Sequence, residues 1–355
     1  MLTTVGEMTV GRRYYACAKC GLSQTPLDQW AGLSNRMASE HARRVIVVAG
    51  SAWSFEQASA KLLEMCRMRV SNDTIRAECD EEGARAGRWA RSEKALAGKM
   101  AKAAGELEFS SDGMKINTVN GWAEMRLSVL DKRESAAAAE PEQWADRVLP
   151  EPTARLAWCQ IAPCRLVGAR WAAMFKHLGI GNGALLSVIA DGAKWIWEQA
   201  GLRLPAANAS WVVDVYHVSE HLHDCGKLLL GEGAAARAWA EEKLTLLLDQ
   251  SGPEFVRHIE QLSDEPLQPG QGQALNKLLV YLRDNLDRMW YRQRLAAGRP
   301  IGSGLIEGGC KTILGARLKL NSARWQPRRA ERMGNLRCLQ YSDLWDSYWN
   351  VRTAA

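Results

Sequence analysis

Apolar and polar residues alternate over residues 114–119 and again over 122–130, and each run predicts a β-strand. The dipeptide Asn120-Gly121 lies between them and is typical of a tight hairpin turn. An earlier strand is predicted over 106–112. Further elements follow in the order strand 157–161, helix 166–178, strand 184–190 and strand 211–214. Three early strands followed by alternating helices and strands predict a mixed α/β sheet.

Helical periodicity precedes this predicted sheet. Residues 36–104 are helical by pattern, with one clear helix at 55–65 and a second that Ser71 would cap. Two helices joined by a short turn match a DNA-binding helix-turn-helix, and they match an ordinary helical hairpin equally well. Both interpretations remain open at this stage.

A second helical region follows the last predicted strand. It spans residues 223–298 and is interrupted by loops at 231–233 and 267–272. After it, Gly302 and Gly304 precede another segment of helical character. The pattern therefore predicts a sheet, then a helical block, then a final helical segment.

Composition is that of a globular protein, since the 355 residues are 47% hydrophobic and 24% charged. No apolar run reaches the ~18 residues of a membrane span, and the first residues lack the basic flank and apolar core of a signal peptide. We therefore expect a cytoplasmic protein with no membrane partner. The net charge of +6 alone is weak support for a nucleic-acid partner.

Nine cysteines are present, and an odd number argues against a disulfide framework. Seven are scattered and are expected to be free thiols in a reducing compartment. The other two, Cys17 and Cys20, form a Cys-x-x-Cys knuckle after a strand predicted over 10–15. Such a knuckle holds Zn²⁺ when a second pair completes the tetrahedron, so it is either half of a zinc site or a turn without metal.

Three acidic residues, Asp112, Asp191 and Glu307, lie in short segments suited to exposing a carboxylate. In the first two, an apolar run ends in Asp-Gly, which predicts the end of a strand and a sharp turn. Taken singly, each acid is also explained as a turn residue or as a partner of a helix dipole. Taken together, three carboxylates on rigid elements can hold two Mg²⁺ ions for phosphoryl transfer.

Two smaller groups of side chains accompany these acids. Asp214 and His217 stand at the end of the last predicted strand, and on a helix His217 would share a face with Glu220 and His221. A polar pair at a strand end, a phosphate contact and a zinc site all fit this pattern. Four basic residues after Glu307 are candidates to hold DNA phosphates or to form a solvated helix face: Lys311, Arg317, Lys319 and Arg324.

Five motifs carry a resemblance to a known family. They read, in chain order, Tyr14-Tyr-Ala-Cys-Ala-Lys-Cys20-Gly, Ser111-Asp-Gly113, Ala190-Asp-Gly-Ala-Lys-Trp-Ile-Trp197, Val213-Asp-Val-Tyr-His-Val-Ser-Glu-His221-Leu and Pro300-Ile-Gly-Ser-Gly-Leu-Ile-Glu-Gly-Gly-Cys-Lys311. In these motifs, and over residues 5–349, the chain resembles bacterial insertion-sequence transposases of the ISKra group, within the Mutator-like superfamily. The last three motifs are long and specific.

The resemblance implies an RNase H-like α/β catalytic core with a mixed sheet, split by an all-helical insertion. It divides the chain into a partial zinc knuckle, a helical DNA-binding region, the first part of the core, the insertion and the last part of the core. These segments would span 1–35, 36–104, 105–222, 223–299 and 300–355. By the same resemblance, Asp112, Asp191 and Glu307 are the catalytic, metal-binding DDE triad, and Asp214 and His217 match an auxiliary motif.

The activity that the resemblance implies is Mg²⁺- or Mn²⁺-dependent DNA cleavage and strand transfer at the ends of an insertion sequence. The partners would be the terminal inverted repeats and target DNA, bound by a homo-oligomer at the bacterial nucleoid. Members of the group carry an earlier Cys-x-x-Cys, and none precedes Cys17, so we expect a truncated reading frame or a late start. The alternatives are a non-catalytic DNA-binding protein derived from a transposase and a metal-dependent nuclease.

Overall fold

In a computed structural model of the protein, residues 1–30, 38–262 and 267–354 are described. The strands are β1 (Leu2–Thr3), β2 (Gly6–Glu7), β3 (Tyr15–Ala16), β4 (Ser23–Gln24), β5 (Glu106–Thr118), β6 (Gly121–Arg133), β7 (Ala154–Gln160), β8 (Leu186–Ala190) and β9 (Ala209–Val213). The helices are α1 (Pro26–Trp30), α2 (Glu40–Ala52), α3 (Phe55–Cys66), α4 (Asn72–Ser92), α5 (Lys94–Lys102), α6 (Cys164–His177), α7 (Lys194–Arg203), α8 (Val215–Leu230), α9 (Ala234–Asp249), α10 (Gly252–Gln261), α11 (Pro269–Asp284), α12 (Tyr291–Ala296), α13 (Gly304–Gly309), α14 (Ala316–Leu318), α15 (Pro327–Tyr341) and α16 (Trp345–Ala354). None of the helices in these ranges combines the length and apolar character that crossing a membrane requires.

Two compact units make up the chain. The first consists of Met1–Ser92, Met114–Met125 and Lys311–Ala355, and the second of Glu93–Gly113 and Arg126–Cys310. The residues of β5 and β6 that lie next to the hairpin turn therefore belong to the first unit, and the remaining residues of both strands belong to the second. The five segments expected from the sequence are a finer division, and they stay predictions. The expected boundary between the first two segments lies outside the described residues.

A five-stranded mixed sheet with the order β7-β6-β5-β8-β9 is the framework of the second unit. β5 and β6 form the predicted hairpin, β7 pairs antiparallel with β6, and β8 and β9 extend the sheet in parallel from β5. Helices α6 and α7 precede β8 and β9 and provide the connections that parallel strands need. The predicted mixed α/β fold is therefore confirmed.

Aromatic packing holds the central strand of this sheet. Phe109 on β5 is fully buried, and its ring lies 6.1 Å from Trp158, 5.1 Å from Trp171 and 5.6 Å from Phe175. The indole Nε1 of Trp171 donates a hydrogen bond to Oγ of Ser128 at 2.8 Å, so its polar atom is satisfied inside the core. This cluster fixes the position of β5, the strand that carries the first predicted acid.

Helices α8 to α12 follow β9 and occupy most of the region that the sequence predicted to be helical. The predicted loop at 231–233 is present between α8 and α9. The loop predicted at 267–272 is wrong in its second part, because α11 begins at Pro269. Gln268 and Gln271 form a reciprocal capping box there, and proline is favoured in the first turn of a helix.

Two predictions about strands are corrected by the structure. The strand predicted over 10–15 is reduced to the two residues of β3. The strand predicted to end at Asp112 continues as β5 to Thr118, because β6 is its sheet neighbour and forms a hairpin arm of equal length. Asp112 therefore lies inside a strand and not at a turn. In contrast, β8 ends at Ala190, and Asp191 follows it as predicted.

The first unit is a helical bundle in which α4 packs against α2, α3 and α15. Gly83 on α4 permits a close approach, since a Cβ there would lie 2.3 Å from the carbonyl oxygen of Arg332 on α15. Arg43 on α2 is fully buried and forms ion pairs with Glu78 and Glu82 of α4. Charged groups buried in this way are stable only when they are paired, so these contacts specify how α2 and α4 pack.

Helices α3 and α4 confirm the two helices predicted in this region. Oγ of Ser71 accepts a hydrogen bond from the backbone N–H of Thr74 at 3.1 Å and caps α4 as expected. The connection begins at Arg67, which has a left-handed φ of 54° and ends α3. The role of this pair as a DNA-binding helix-turn-helix stays a prediction.

Candidate active site

Asp112 and Asp191 lie at corresponding distances beyond the paired residues of two neighbouring parallel strands. The last paired residues of β5 and β8 are Phe109 and Val188, and each aspartate follows three residues later, Asp112 within β5 and Asp191 directly after β8. Neighbouring strands are about 4.8 Å apart, so both carboxylates belong to one edge of the sheet. The structure thus brings together two of the three acids that the sequence singled out.

Asp214 continues this row on the next strand, because β8 and β9 pair up to their last residues and Asp191 and Asp214 directly follow them. The Asp214 side chain is only 2% exposed. Its Oδ1 accepts a hydrogen bond from the N–H of Tyr216 at 2.9 Å, and its Oδ2 accepts one from the hydroxyl of Ser303. Burial raises the pKa of Asp214, and the bond from Ser303 opposes that rise. Asp214 therefore caps α8 and anchors a neighbouring segment.

The Asp112 carboxylate has two hydrogen-bond donors. Oδ1 accepts from the backbone N–H of Gly113 at 2.6 Å, and Oδ2 accepts from Sγ of Cys310 at 3.6 Å. Burial raises the pKa of Asp112, the negative charge of Asp191 adds to the rise, and the two hydrogen bonds oppose it. The two carboxylates therefore repel each other, and a cation bound beside them would relieve that repulsion.

A tight turn fixes Asp191. Its Oδ1 accepts a hydrogen bond from the N–H of Ala193 at 2.9 Å, and Gly192 supplies a positive φ of 93°. The hydroxyl of Tyr281 on α11 donates to the carbonyl oxygen of Asp191 at 3.3 Å. The Tyr281 ring stacks on His221 of α8 with centroids 3.8 Å apart. Two helices of the helical block therefore support the turn that presents this acid.

Glu307 is exposed on α13, one turn from the start of the helix. Cys310 follows three residues later, so the two side chains lie on the same face of the helical segment. From Cys310 to Gly315 the segment is a π-helix, a form that is frequent at functional sites. Glu307 therefore lies one helical turn from Cys310, the residue that bonds to Asp112. Burial chiefly raises the pKa of the Cys310 thiol, and the charges of Asp112 and Glu307 add to it.

The segment before α13 is tied to the end of β9. The hydroxyl of Ser303 donates to Asp214, as described above. Gly302 passes so close to Tyr216 that a Cβ there would lie 2.8 Å from its ring. These two contacts place the start of α13 beside the end of β9.

The arrangement of the three acids bears on whether the site could hold a divalent metal ion. Among the described ranges, no three or more histidine, cysteine, aspartate or glutamate side chains are arranged to hold one metal ion. Asp112, Asp191 and Glu307 fit Mg²⁺ in kind, because carboxylate oxygens are its preferred ligands. The mutual repulsion of Asp112 and Asp191 also fits a cation site. The triad and its metal stay a prediction.

The cysteine knuckle is a turn between β3 and β4. The N–H of Cys17 donates to the carbonyl oxygen of Leu22 at 2.8 Å, and the N–H of Gly21 donates to the carbonyl oxygen of Cys17 at 2.9 Å. Cys17 and Cys20 are both exposed free thiols. Hydrogen bonds from Cys20 lower the pKa of Cys17, which favours the thiolate that metals require. Zinc binding by this pair stays a prediction.

The remaining predicted residues behave differently from one another. His217 and Glu220 share a face of α8 as expected, with Nδ1 of His217 3.3 Å from Oε2 of Glu220.

Arg317 is only 3% exposed, and its guanidinium lies 4.7 Å from the ring of Phe55 and 4.9 Å from that of Trp325. This burial contradicts the alternative of a solvated helix face, and a DNA-phosphate contact by Arg317 stays a prediction. The other three basic candidates are exposed: Lys311, Lys319 and Arg324.

Three side chains that support the acids were missed by sequence reasoning: Cys310, Ser303 and Tyr281. The spacing of Glu307 and Cys310 on one helix was the available signal for the first. Ser303 and Tyr281 lie 89 and 90 residues from their hydrogen-bond partners. No local pattern marks contacts of that kind.

The second unit is thus a mixed α/β fold in which Asp112 lies within a strand and Asp191 and Asp214 directly follow the next two strands. No protein-family model and no curated protein sequence matches the chain. A structural comparison finds the Drosophila P element transposase strand transfer complex, with a TM-score of 0.31 and 9% sequence identity. The match covers 90% of this chain and 84% of that chain. A likeness at that TM-score carries no conclusion about function, which has to rest on the site itself.

Proposed function

We propose that the chain is a metal-dependent DDE transposase, which cleaves and transfers DNA strands at the ends of an insertion sequence. The observation that carries this proposal is that Asp112 and Asp191 each follow the last paired residue of the adjacent parallel strands β5 and β8 by three residues. Cys310, one turn after Glu307, bonds to Asp112 and brings the third acid to the same part of the second unit. Three hard-oxygen groups on rigid elements are what divalent metals need for phosphoryl transfer.

The sheet order supports an RNase H-like core. Numbered along the chain, the five strands of the sheet lie in the order 3-2-1-4-5. The first three form an antiparallel meander, and the last two run parallel to the first. In this proposal α8 to α12 are the helical insertion, and α13 is the part of the core that carries Glu307.

Asp112, Asp191 and Glu307 would hold Mg²⁺ or Mn²⁺, which when bound supplies an activated oxygen nucleophile and offsets charge on the leaving oxygen. The protein's own residues orient these ligands. The N–H of Ala193 fixes the Asp191 carboxylate on a rigid turn. The Cys310 thiol stabilises the ionised form of Asp112, which burial disfavours.

The proposed partners are the element's terminal inverted repeats and target DNA. Lys311, Lys319 and Arg324 are exposed and would hold phosphates, and the pair α3–α4 would contribute to binding the ends. The family resemblance implies that paired ends are joined together, so we propose a homo-oligomer on DNA. The proposed location is the bacterial cytoplasm, at the nucleoid.

One observation favours a second candidate, a DNA-binding protein without catalysis. The described residues contain no ready three-ligand metal cluster, and Cys310 already occupies one oxygen of Asp112. A nuclease without strand transfer is the third candidate. Reactions of the purified protein with DNA from the element's ends and Mg²⁺ or Mn²⁺ separate them. Cleavage with joining supports the transposase, cleavage alone supports the nuclease, and binding alone supports the second candidate.

A further inference from the structure

A cavity of about 350 Å³ lies within the first unit, between α3, α4 and the segment that leads into α15. The tip of the β5–β6 hairpin forms one wall. The N–H of Val119 donates to the carbonyl oxygen of Trp325 at 2.9 Å, and the N–H of Trp325 donates to that of Asn117 at 3.1 Å. A water molecule occupies about 30 Å³ of liquid, so the cavity accepts a ligand much larger than a single oxyanion.

Arg317 lines this cavity, and its buried guanidinium forms no ion pair with any residue that the structure describes. Its Nε donates to the carbonyl oxygen of Gly50 at 2.9 Å, and aromatic rings cover its faces. Its Nη2 has no hydrogen-bond partner within the described part of the protein. Burial lowers the pKa of Arg317 to about 10, so the group stays charged at neutral pH. The neighbouring Cys79 does not neutralise it, because burial raises the pKa of that thiol to about 12.

Other side chains make the cavity more basic. Three further arginines line it: Arg76, Arg324 and Arg329. Arg76 forms an ion pair with Asp73, with Nη2 2.6 Å from Oδ1. One carboxylate, Asp80, also lines the cavity, and its Oδ2 is paired with Arg332. Its Oδ1 is buried and has no hydrogen-bond partner among the described residues. A buried cation without a countercharge is costly, and an anion in the cavity would remove that cost.

We propose that this cavity binds a nucleoside monophosphate unit, with its phosphate at the arginines and its base against the apolar lining of Val119, Leu320 and Met333. Arginine recognises phosphate through charge-assisted hydrogen bonds. The unit comes either from a free nucleotide or from an unpaired nucleotide of a DNA strand. This site uses only residues of the first unit, and it goes beyond the proposed strand transfer.

Calorimetric titration of the full chain with deoxyadenosine monophosphate tests the proposal. We expect saturable binding and a raised Tm. Deoxyadenosine and inorganic phosphate should each bind at least about tenfold more weakly, because each lacks one half of the recognised unit. No binding of the nucleotide would overturn the proposal. Inorganic phosphate binding as tightly as the nucleotide would also overturn it, since the base would then contribute nothing.

Charge reversal at the cavity provides matched variants. Arg329→Glu changes an exposed side chain that lines the cavity, and Arg328→Glu changes an exposed neighbour on α15 that does not. We expect Arg329→Glu to weaken nucleotide binding at least about tenfold and Arg328→Glu to change it less than about twofold. An equal loss in both variants would show diffuse attraction to a basic surface and overturn the cavity assignment.

Competition with a single-stranded oligonucleotide distinguishes the two sources. Displacement of the mononucleotide assigns the cavity to a DNA strand, and binding without displacement assigns it to a free nucleotide; both outcomes support the site. Asp191→Ala should bind the mononucleotide as the wild type does. A wild-type protein that transfers strands but does not bind the nucleotide would overturn the cavity proposal alone. A wild-type protein that binds the nucleotide but does not transfer strands would overturn the proposed function alone.

Discussion

Sγ of Cys310 donates a hydrogen bond to Oδ2 of Asp112 at 3.6 Å, and this contact joins the helical segment of Glu307 to the central strand of the sheet. Burial raises the pKa of the thiol, so it remains protonated and able to donate at neutral pH. The same contact opposes the rise that burial causes in the pKa of Asp112. Cys310 therefore positions the acid and adjusts its ionisation.

Replacing Cys310 by alanine should shift the pH dependence of DNA cleavage. Without the thiol donor the pKa of Asp112 rises further, and metal binding requires the ionised carboxylate. We expect the acidic limb of the cleavage rate to move to higher pH. Rates measured from about pH 5 to about pH 9 test this. Cys338→Ala, which removes another buried thiol, is the control and should leave the limb in place. An unmoved limb in Cys310→Ala would contradict the role assigned to the thiol.

Asp112→Asn should make the protein more stable while abolishing cleavage. A carboxyl whose folded-state pKa lies above its unfolded value stabilises the fold at low pH, and that contribution is lost as the pH rises through the folded pKa. At neutral pH the ionised Asp112 therefore costs stability, which asparagine avoids. Thermal unfolding at neutral pH should show a higher Tm for Asp112→Asn and no change for the exposed Asp146→Asn. A lower Tm for Asp112→Asn would be evidence against this account.

Tyr281→Phe removes the hydroxyl that donates to the carbonyl oxygen of Asp191 and keeps the ring that stacks on His221. We expect it to lower the free energy of unfolding by about 1 kcal/mol. Tyr281→Ala also removes the ring and should cost about 3 kcal/mol. Denaturant unfolding measures both values, and Tyr15→Phe at an exposed position is the control. Equal stability of all the variants would mean that α11 does not support the Asp191 turn.

Gly302→Ala should weaken the support of α13. The added Cβ would meet the Tyr216 ring at 2.8 Å, whereas a Cβ at Gly304 meets nothing within 4 Å. We expect Gly302→Ala to cost about 1 kcal/mol of stability and to slow cleavage, because the start of the Glu307 helix has to shift. Gly304→Ala is the matched control. Comparable Tm values and cleavage rates for the two variants would contradict this close approach.

Local sequence patterns were sufficient where neighbouring residues decide the structure. The turn at Asn120-Gly121 and the placement of Asp191 after β8 followed from short-range signals. They failed at Asp112, where Asp-Gly indicates a turn but pairing with β6 keeps the strand extended. They also failed at Arg317, whose burial depends on Phe55, a residue far away in the sequence. The contact between Cys310 and Asp112 is of the same long-range kind.

Strand cleavage and joining by the wild-type protein and by Asp191→Ala test the central claim most directly. With DNA from the element's ends and Mg²⁺, we predict cleavage followed by strand transfer for the wild type. Asp191→Ala should lose both activities by at least about a thousandfold and should still bind the DNA. Asp146→Asn should behave as the wild type does. An Asp191→Ala protein that cleaves and joins DNA at the wild-type rate would contradict the assignment of Asp112, Asp191 and Glu307 as the active site.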